Sequence, residues 1–129
     1  MKNSIIVSLA IALVIISVSA VIHVTKREQI SEVKVMNILQ VVATQEVCHR
    51  LGHVKASGKP WFERLSKSDM VSPDGSVKPL KNAYSVLEEL VEKSLSRIDT
   101  TNILTVNSAA NECAMNNVQY KGLDIYVNQ

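Results

Sequence analysis

The chain has 129 residues, with 14 basic and 12 acidic residues and a formal net charge of +2. This length predicts one domain at most. The near balance of charge argues against a strongly basic nucleic-acid binder, because no cationic excess remains to neutralise a run of phosphates. The charges are unevenly distributed, since residues 3–25 contain none and all of them except Lys2 lie from Lys26 onward.

The N-terminal apolar run reads IIVSLAIALVIISVSAVIHV, from Ile5 to Val24. At about 1.5 Å of rise per residue, a helix of this length would just cross a hydrocarbon core of about 30 Å. The run also fits a signal peptide, with an apolar centre and Val18-Ser19-Ala20 as a small-residue cleavage site. A buried core helix of a cytosolic protein is a third interpretation.

We predict that residues 1–24 are a signal peptide or a signal-anchor transmembrane segment, and that residues 25–129 form a small helical domain. This domain is expected outside the cytoplasm, either periplasmic or secreted. If the leader is retained, it would hold the domain at the inner membrane. The basic residues on the two sides of the leader are too evenly balanced to indicate its orientation.

The two cysteines, Cys48 and Cys113, are far apart in the sequence. There is no CxxC motif and no second pair at zinc-finger spacing, which argues against a structural zinc site. In an oxidising compartment the two cysteines predict one intramolecular bridge. It would stabilise so small a domain by about 4 kcal/mol, by restricting the unfolded chain. Two free thiols in a reducing cytosol are the alternative.

Regular apolar spacing predicts a mainly α-helical domain. Between Gln29 and Leu51 apolar residues recur at steps of three and four, which is typical of a long amphipathic helix that Gly52 would end. The predicted inward stripe comprises Met36, Leu39, Ala43, Val47 and Leu51, widened by Val35, Ile38 and Val42.

The middle of the chain predicts a short helix and a turn. Residues 53–60 are a connector, after which Pro60 can open a short helix carrying Trp61, Phe62 and Leu65. Pro73-Asp74-Gly75 has the composition of a tight turn. The flanking pairs, Met70-Val71 and Ser76-Val77, are predicted to form a small two-stranded ribbon that rests on the helices.

Two further helices are predicted, from Leu80 to Ile98 and from Asn102 to Tyr120. A short terminal strand would follow from Leu123 to Val127; alternatively Ile103–Val106 is a strand that pairs with it. The fold class is therefore a small bundle of about three helices with a minor ribbon. The residues predicted to face inward from the last helix are Ile103, Val106, Ala110, Cys113, Ala114 and Val118.

No catalytic motif is recognisable in the sequence, which has no GxSxG, HExxH, phosphate loop or GxGxxG. His49 and His53 could share one helix face as metal ligands, but no third ligand is evident. Cys48 and His49 would point about 100° apart on a helix, so they cannot act as a nucleophile and its base. We expect no enzymatic activity, no cofactor and no metal site.

Two polar groups of residues are expected on helix surfaces. Glu88, Glu89 and Glu92 are predicted to be solvated charges, because a catalytic carboxyl pair would need an apolar pocket to raise one pKa. The asparagines of the last helix suggest a polar face that could serve as a hydrogen-bonding contact surface; they are Asn107, Asn111, Asn116 and Asn117.

Trp61 and Phe62 are the only Trp and the only Phe, and they are adjacent. We expect one ring in the core. The other, if it is exposed, would be the best candidate for a partner-binding anchor, because buried aromatic side chains dominate binding energies at interfaces.

These features together predict a non-enzymatic, exported or membrane-tethered helical binding module. It would regulate or inhibit another protein in the cell envelope, as lysis regulators and enzyme inhibitors do. A protein partner is expected, with membrane contact through residues 5–24 if the leader is uncleaved, and no nucleic acid or small-molecule substrate. The alternative is a single-span structural subunit of an envelope complex, whose first helix continues out of the membrane.

Cleavage after Ala20 would produce a mature protein that begins at Val21. Replacing Ala20 with Arg should block processing, because the cleavage site requires a small residue at this position. Mass spectrometry of the N-terminal peptide from soluble and membrane fractions measures both outcomes. An intact Met1 in the membrane fraction of the unaltered protein would show that the leader is retained as an anchor.

Overall fold

The computed structural model describes residues 27–99 and 101–124; the predicted leader at residues 1–24 lies outside this part of the chain. The described chain is mainly helical with a small three-stranded sheet. In chain order the elements are β1 (Glu28–Ser31), α1 (Glu32–Arg50), α2 (Lys59–Ser66), β2 (Ser68–Val71), β3 (Val77–Pro79), α3 (Ala83–Arg97) and α4 (Ile103–Lys121). The predicted helical class is confirmed.

The predicted ribbon is present as β2 and β3, which pair antiparallel with Val71 opposite Val77. Gly75 in the connecting turn has a φ of 87°, a conformation that glycine adopts without steric cost. The ribbon gains a third strand that the sequence pattern did not predict. β1 pairs in parallel with β2, and it buries Ile30 in the core.

The first helix was expected from Gln29, but β1 occupies Glu28–Ser31 and α1 begins only at Glu32. Long-range contacts explain the difference. The guanidinium of Arg27 donates to the Asp69 carboxylate at 2.7 Å and to two carbonyl oxygens near β2, which holds the incoming chain extended against that strand. The Ser31 hydroxyl then accepts from the Lys34 backbone N–H and caps the helix.

The apolar core lies between β1, α1, α2 and α3. Phe62 meets Tyr84 edge to face with ring centroids 5.8 Å apart, which joins α2 to α3. α3 is shorter than predicted, because Leu80–Asn82 precede the helix and Ile98 is extended. The buried apolar residues of this cluster are Ile30, Val35, Ile38, Val41, Val42, Trp61, Phe62, Leu65, Ala83, Leu87, Val91 and Leu123.

The core-facing side of α1 is rotated from the predicted stripe. Val35, Ile38 and Val42, which were expected to widen the stripe, are fully buried, whereas Leu39, Ala43 and Val47 are only partly buried. Met36 is 62% exposed. The predicted centre of the stripe therefore lies at the edge of the core.

The last helix differs from its prediction in the face that it turns inward. Ile103 and Val118, both expected inside, are 76% and 72% exposed, whereas Asn116 is buried. The reason is that α4 docks on α1 through Cys113 and through amide hydrogen bonds, both of which lie on one side of the helix. Periodicity of apolar residues could not predict a polar docking face.

Two segments that were considered as strands are helical where the structure describes them. Residues 103–106 belong to α4, so the alternative strand at Ile103–Val106 is wrong. Leu123 and Asp124 are also helical, which contradicts the start of the predicted terminal strand. The rest of that strand, residues 125–127, lies outside the described residues.

Cys48 and Cys113 form the predicted disulfide, with an S–S distance of 2.04 Å and Cα atoms 5.6 Å apart. The bridge joins α1 to α4, as the sequence positions indicated. Of the helices in residues 27–99 and 101–124, none is both long enough and apolar enough to span a membrane.

The approach of α2 to α1 requires glycine at residue 58. A Cβ atom on Gly58 would collide with the carbonyl oxygen of Val42 and lie 3.2 Å from the backbone nitrogen of Glu46, and neither backbone atom can move without distorting α1. We expect Gly58→Ala to lower the free energy of unfolding by about 2–3 kcal/mol, as overpacking of a rigid site does.

Gly122→Ala is the matched control for this substitution, because a Cβ atom there meets only ordinary contacts, the nearest at 3.5 Å. Its free energy of unfolding should stay within about 0.5 kcal/mol of the wild type. Urea unfolding followed by circular dichroism measures both variants. Equal stability of the two variants would contradict the assigned close approach.

Candidate functional site

An apolar groove lies between α1 and α3 and has a volume of about 520 Å³. None of the side chains that line it is charged. They are Met36, Leu39, Gln40, Ala43, Thr44 and Val47 from α1, with Leu90 and Ser94 from α3. Four of the α1 residues are members of the predicted inward stripe, so the tertiary structure leaves open a face that the sequence pattern assigned to the core.

Exposed apolar side chains continue this surface beyond the groove. Val33 precedes Met36 by three residues on α1, and Val86 precedes Leu90 by four residues on α3; all four are exposed. Helix residues at these spacings are neighbours on one face. An apolar surface that extends along two adjacent helices is the kind of patch that marks an interaction site on a soluble domain.

Packing of α3 explains why the groove stays open. Leu87 and Val91 are fully buried in the core, and Leu90 lies on one flank of that buried stripe. On the other flank, Glu88 accepts two hydrogen bonds from the Arg50 guanidinium, each at 2.9 Å. The ion pair and the buried stripe together hold α3 in place, so Leu90 forms a wall of the groove and does not fill it.

Arg50 also connects α3 to a buried carboxylate. Its Nε atom donates to Glu46 at 2.9 Å, while the other oxygen of Glu46 accepts from the Ser57 hydroxyl at 2.6 Å and the Gly58 backbone N–H at 3.2 Å. Burial raises the pKa of Glu46, but these hydrogen bonds and the Arg50 charge outweigh it, so the pKa lies below its ordinary value. The carboxylate therefore holds the 51–58 loop and the start of α2 against α1.

A second polar network joins α1 to α4. The Gln45 side-chain amide donates to the Asn117 side-chain oxygen at 2.8 Å and to the carbonyl of Ala56 at 3.0 Å. Asn116 donates to the carbonyl of Val41 at 3.0 Å and to the Gln45 side-chain oxygen at 3.2 Å. Two of the asparagines expected on a contact surface are thus used inside the protein.

These networks satisfy the buried polar groups. Within the described residues, every buried side-chain nitrogen and oxygen atom has a hydrogen-bond partner. A buried polar group without a partner is often the sign of a missing ligand or of a catalytic role. Glu46 and Gln45 are therefore structural residues in this arrangement, and the open apolar groove is the stronger candidate for a functional site.

The structure buries both aromatic residues that were candidates for partner binding. Trp61 is 5% exposed and Phe62 is 0% exposed. The Arg64 guanidinium covers the Trp61 ring at 4.2 Å from its centroid, which is a cation–π contact. The prediction of a partner-binding anchor depended on one exposed ring, and this condition is not met.

The remaining sequence candidates lie on the surface. His49 and His53 are exposed, with His49 Nδ1 3.4 Å from the carbonyl oxygen of Val54. Glu89 lies 3.9 Å from Lys93, and Glu92 is exposed. In the part of the chain that the structure describes, no group of three or more His, Cys, Asp or Glu side chains could hold a metal ion.

A polar cleft of about 460 Å³ lies between α1 and α4. Its existence depends on the docking of α4, because the two helices supply opposite walls. Its lining residues are Asn37, Gln40, Val41 and Thr44 from α1 and Glu112, Met115, Asn116 and Gln119 from α4.

Comparisons with known proteins assign no family to this chain. No protein-family model matches it, and neither curated proteins nor solved structures show a match.

Sequence reasoning missed the groove, although a signal for it was present. α1 carries two overlapping apolar stripes, one through Val35, Ile38 and Val42 and one through Met36, Ala43 and Val47. A single neighbouring layer covers only one stripe of this width. An excess of apolar faces on one helix could have indicated that one face stays open for a partner.

The Glu46 network predicts a pH-dependent contribution to stability. Because the folded-state pKa lies below the ordinary value of 4.5, this stability is present above that value and is lost as the pH falls through the folded pKa. Glu46→Gln should lower the free energy of unfolding by about 1–3 kcal/mol at pH 7. The substitution removes the negative charge that pairs with Arg50, and the new amide NH2 group is a donor where the network needs an acceptor.

The difference between wild type and Glu46→Gln should shrink as the pH falls below 4.5 and through the lowered folded-state pKa, because the wild type then loses its carboxylate. Urea unfolding at several pH values measures this difference, in which the contributions of other acids cancel. Glu89→Gln is the control, because the Glu89 side chain is exposed and its ion pair is long. A constant difference for Glu46→Gln across the pH range would contradict the assigned role.

Proposed function

We propose that this protein is a non-enzymatic, extracytoplasmic binding module that regulates or inhibits another protein of the cell envelope, and that it binds through the α1–α3 groove. The observation that carries this proposal is the uncharged apolar lining of a groove that the fold leaves open. Exposing such a surface is costly for a domain of this size unless a partner covers it.

The occupant that fits this groove is the apolar face of a helix from the partner protein. From Met36 to Val47 the wall formed by α1 is about 17 Å long at about 1.5 Å per residue, which accommodates about three helical turns. Two helices that flank a groove can receive the side-chain ridge of a third helix. The lack of charge in the lining excludes a strongly acidic or basic recognition motif and favours aliphatic side chains.

Polar groups at the groove would orient the bound helix. The Thr44 hydroxyl donates to the carbonyl of Gln40 within α1 at 2.8 Å, so this donor is already used inside the helix. The side chains of Gln40 and Ser94, both exposed on opposite walls, would supply hydrogen bonds to the partner. A few placed polar groups in an apolar site are the usual source of specificity.

The extracytoplasmic location is supported by two features. The charge-free leader from Ile5 to Val24 fits export or membrane anchoring. The Cys48–Cys113 disulfide is compatible with an oxidising compartment, where such bridges persist.

The chain offers a matched pair of methionines to test this surface. Met36 lines the groove and is 62% exposed, whereas Met115 is 69% exposed at the α1–α4 cleft. We expect Met36→Glu to weaken partner binding at least tenfold, because a carboxylate would be desolvated in the apolar contact. Met115→Glu should bind as the wild type does, and both variants should keep their thermal stability.

Photo-cross-linking from a residue analogue at Leu90, in the full chain within its native envelope, would identify the occupant. The expected product joins this chain to one apolar helical segment of an envelope protein. Peptide mass spectrometry locates the cross-linked segment. The product should disappear when the chain carries Met36→Glu. Cross-links mainly to lipid would indicate a membrane-contact surface, and cross-links mainly to a second copy would indicate a homodimer. Either result would contradict the proposed partner. An equal loss of partner binding in Met36→Glu and Met115→Glu would also contradict it.

A further inference from the structure

The helix α4 is attached to the domain in a different way from the other helices. Among the described side chains, none of the buried residues of the apolar core cluster comes from α4 itself; Leu123 lies beyond its end. Of the α4 side chains that the structure describes, Cys113 and Asn116 are the buried ones. The core is therefore formed mainly by β1, α1, α2 and α3, and the contribution of the α4 region is limited to its C-terminal end, through Tyr120 and Leu123.

Most of the described contacts that hold α4 are the bridge and polar hydrogen bonds, and the half-buried Tyr120 ring adds an apolar contact at the edge of the core. Cys113 is joined to Cys48, Asn116 and Asn117 bond to Val41 and Gln45, and the Tyr120 hydroxyl donates to the carbonyl of Ser57 at 2.8 Å. Hydrogen bonds of this kind exchange readily for bonds to water when a helix separates, so their net contribution to docking is small.

The composition of α4 adds little independent stability. Its first half contains β-branched, Ser and Asn residues, which are weak helix formers, and Ile103, Met115 and Val118 face solvent. An isolated helix of this composition would be marginal in water. Covalent attachment at Cys113, near the middle of the helix, is the contact that keeps α4 near α1.

We propose that bridge formation is an assembly switch, in which α4 docks on α1 and builds the α1–α4 cleft only when Cys48 and Cys113 are oxidised. The two thiols lose two protons and two electrons to a disulfide-bearing oxidant, which is reduced to its dithiol while the S–S bond forms. Before oxidation the domain holds its apolar core but lacks the cleft wall that α4 supplies. If the protein is exported as proposed above, the cleft exists only after export.

Hydrogen–deuterium exchange of the oxidised domain, compared with the Cys48→Ser/Cys113→Ser double variant, tests this switch. In the double variant we expect the amides of 106–119 to lose protection at least tenfold. The amides around Leu87 and Val91 in α3 should keep theirs, because they belong to the core that α4 does not build. Asn117→Ala is the matched control, since it removes a polar contact but keeps the bridge, and α4 should stay docked in it.

Two results would overturn the proposal. The first is unchanged protection of the α4 amides from exchange in the double variant. The second is an equal loss of protection in α3 and α4, which would mean that the bridge stabilises the whole domain. If the double variant does not fold, the same exchange is measured on the wild-type protein after reduction by a phosphine, and the same two outcomes decide. The cross-linking test at Leu90 is independent, because the α1–α3 groove includes no residue of α4.

Discussion

The carboxylate of Glu46 is the point at which α1, the 51–58 loop and α3 are held together. One carboxylate oxygen accepts hydrogen bonds from Ser57 and Gly58, which positions α2. The other accepts from Arg50, whose guanidinium also forms an ion pair with Glu88 on α3. Because a buried carboxylate is stable only while all of these donors remain in place, the network restricts how α3 can sit against α1. The open groove beside Leu90 is a consequence of that restriction.

α1 is the central element, and its faces are used in different ways. One face enters the apolar core through Val35, Ile38 and Val42, a second receives α4 through Cys48 and Gln45, and a third remains open along Met36, Ala43 and Val47. A helix that is apolar on more than one side needs more than one partner. Within the described chain the third partner is missing, which is the physical basis of the proposed binding role.

Local sequence signals predicted the existence of the elements well and their environments less well. The helices around Ile38, Leu87 and Cys113 and the turn at Gly75 follow from apolar spacing and from turn chemistry, both of which act over a few residues. The strand β1 depends on Arg27 reaching Asp69, a contact between residues 42 positions apart, and no local pattern specifies such a contact. For the same reason the inward face of α4 was misplaced, since its docking is polar.

The amino-acid sequence by itself determined the helical class, the contrast between an apolar N-terminal run and a charged remainder, and that Cys48 and Cys113 are the only cysteines that can pair. These properties follow from composition and short-range periodicity. Only the tertiary structure decided which stripe of α1 is buried, that Trp61 and Phe62 are both inside, and that a groove stays open beside Leu90. Burial depends on which surfaces are brought together by segments that are distant in the sequence. In this domain the buried Glu46 network fixes where α3 packs against α1, and this position decides which face of α1 is covered.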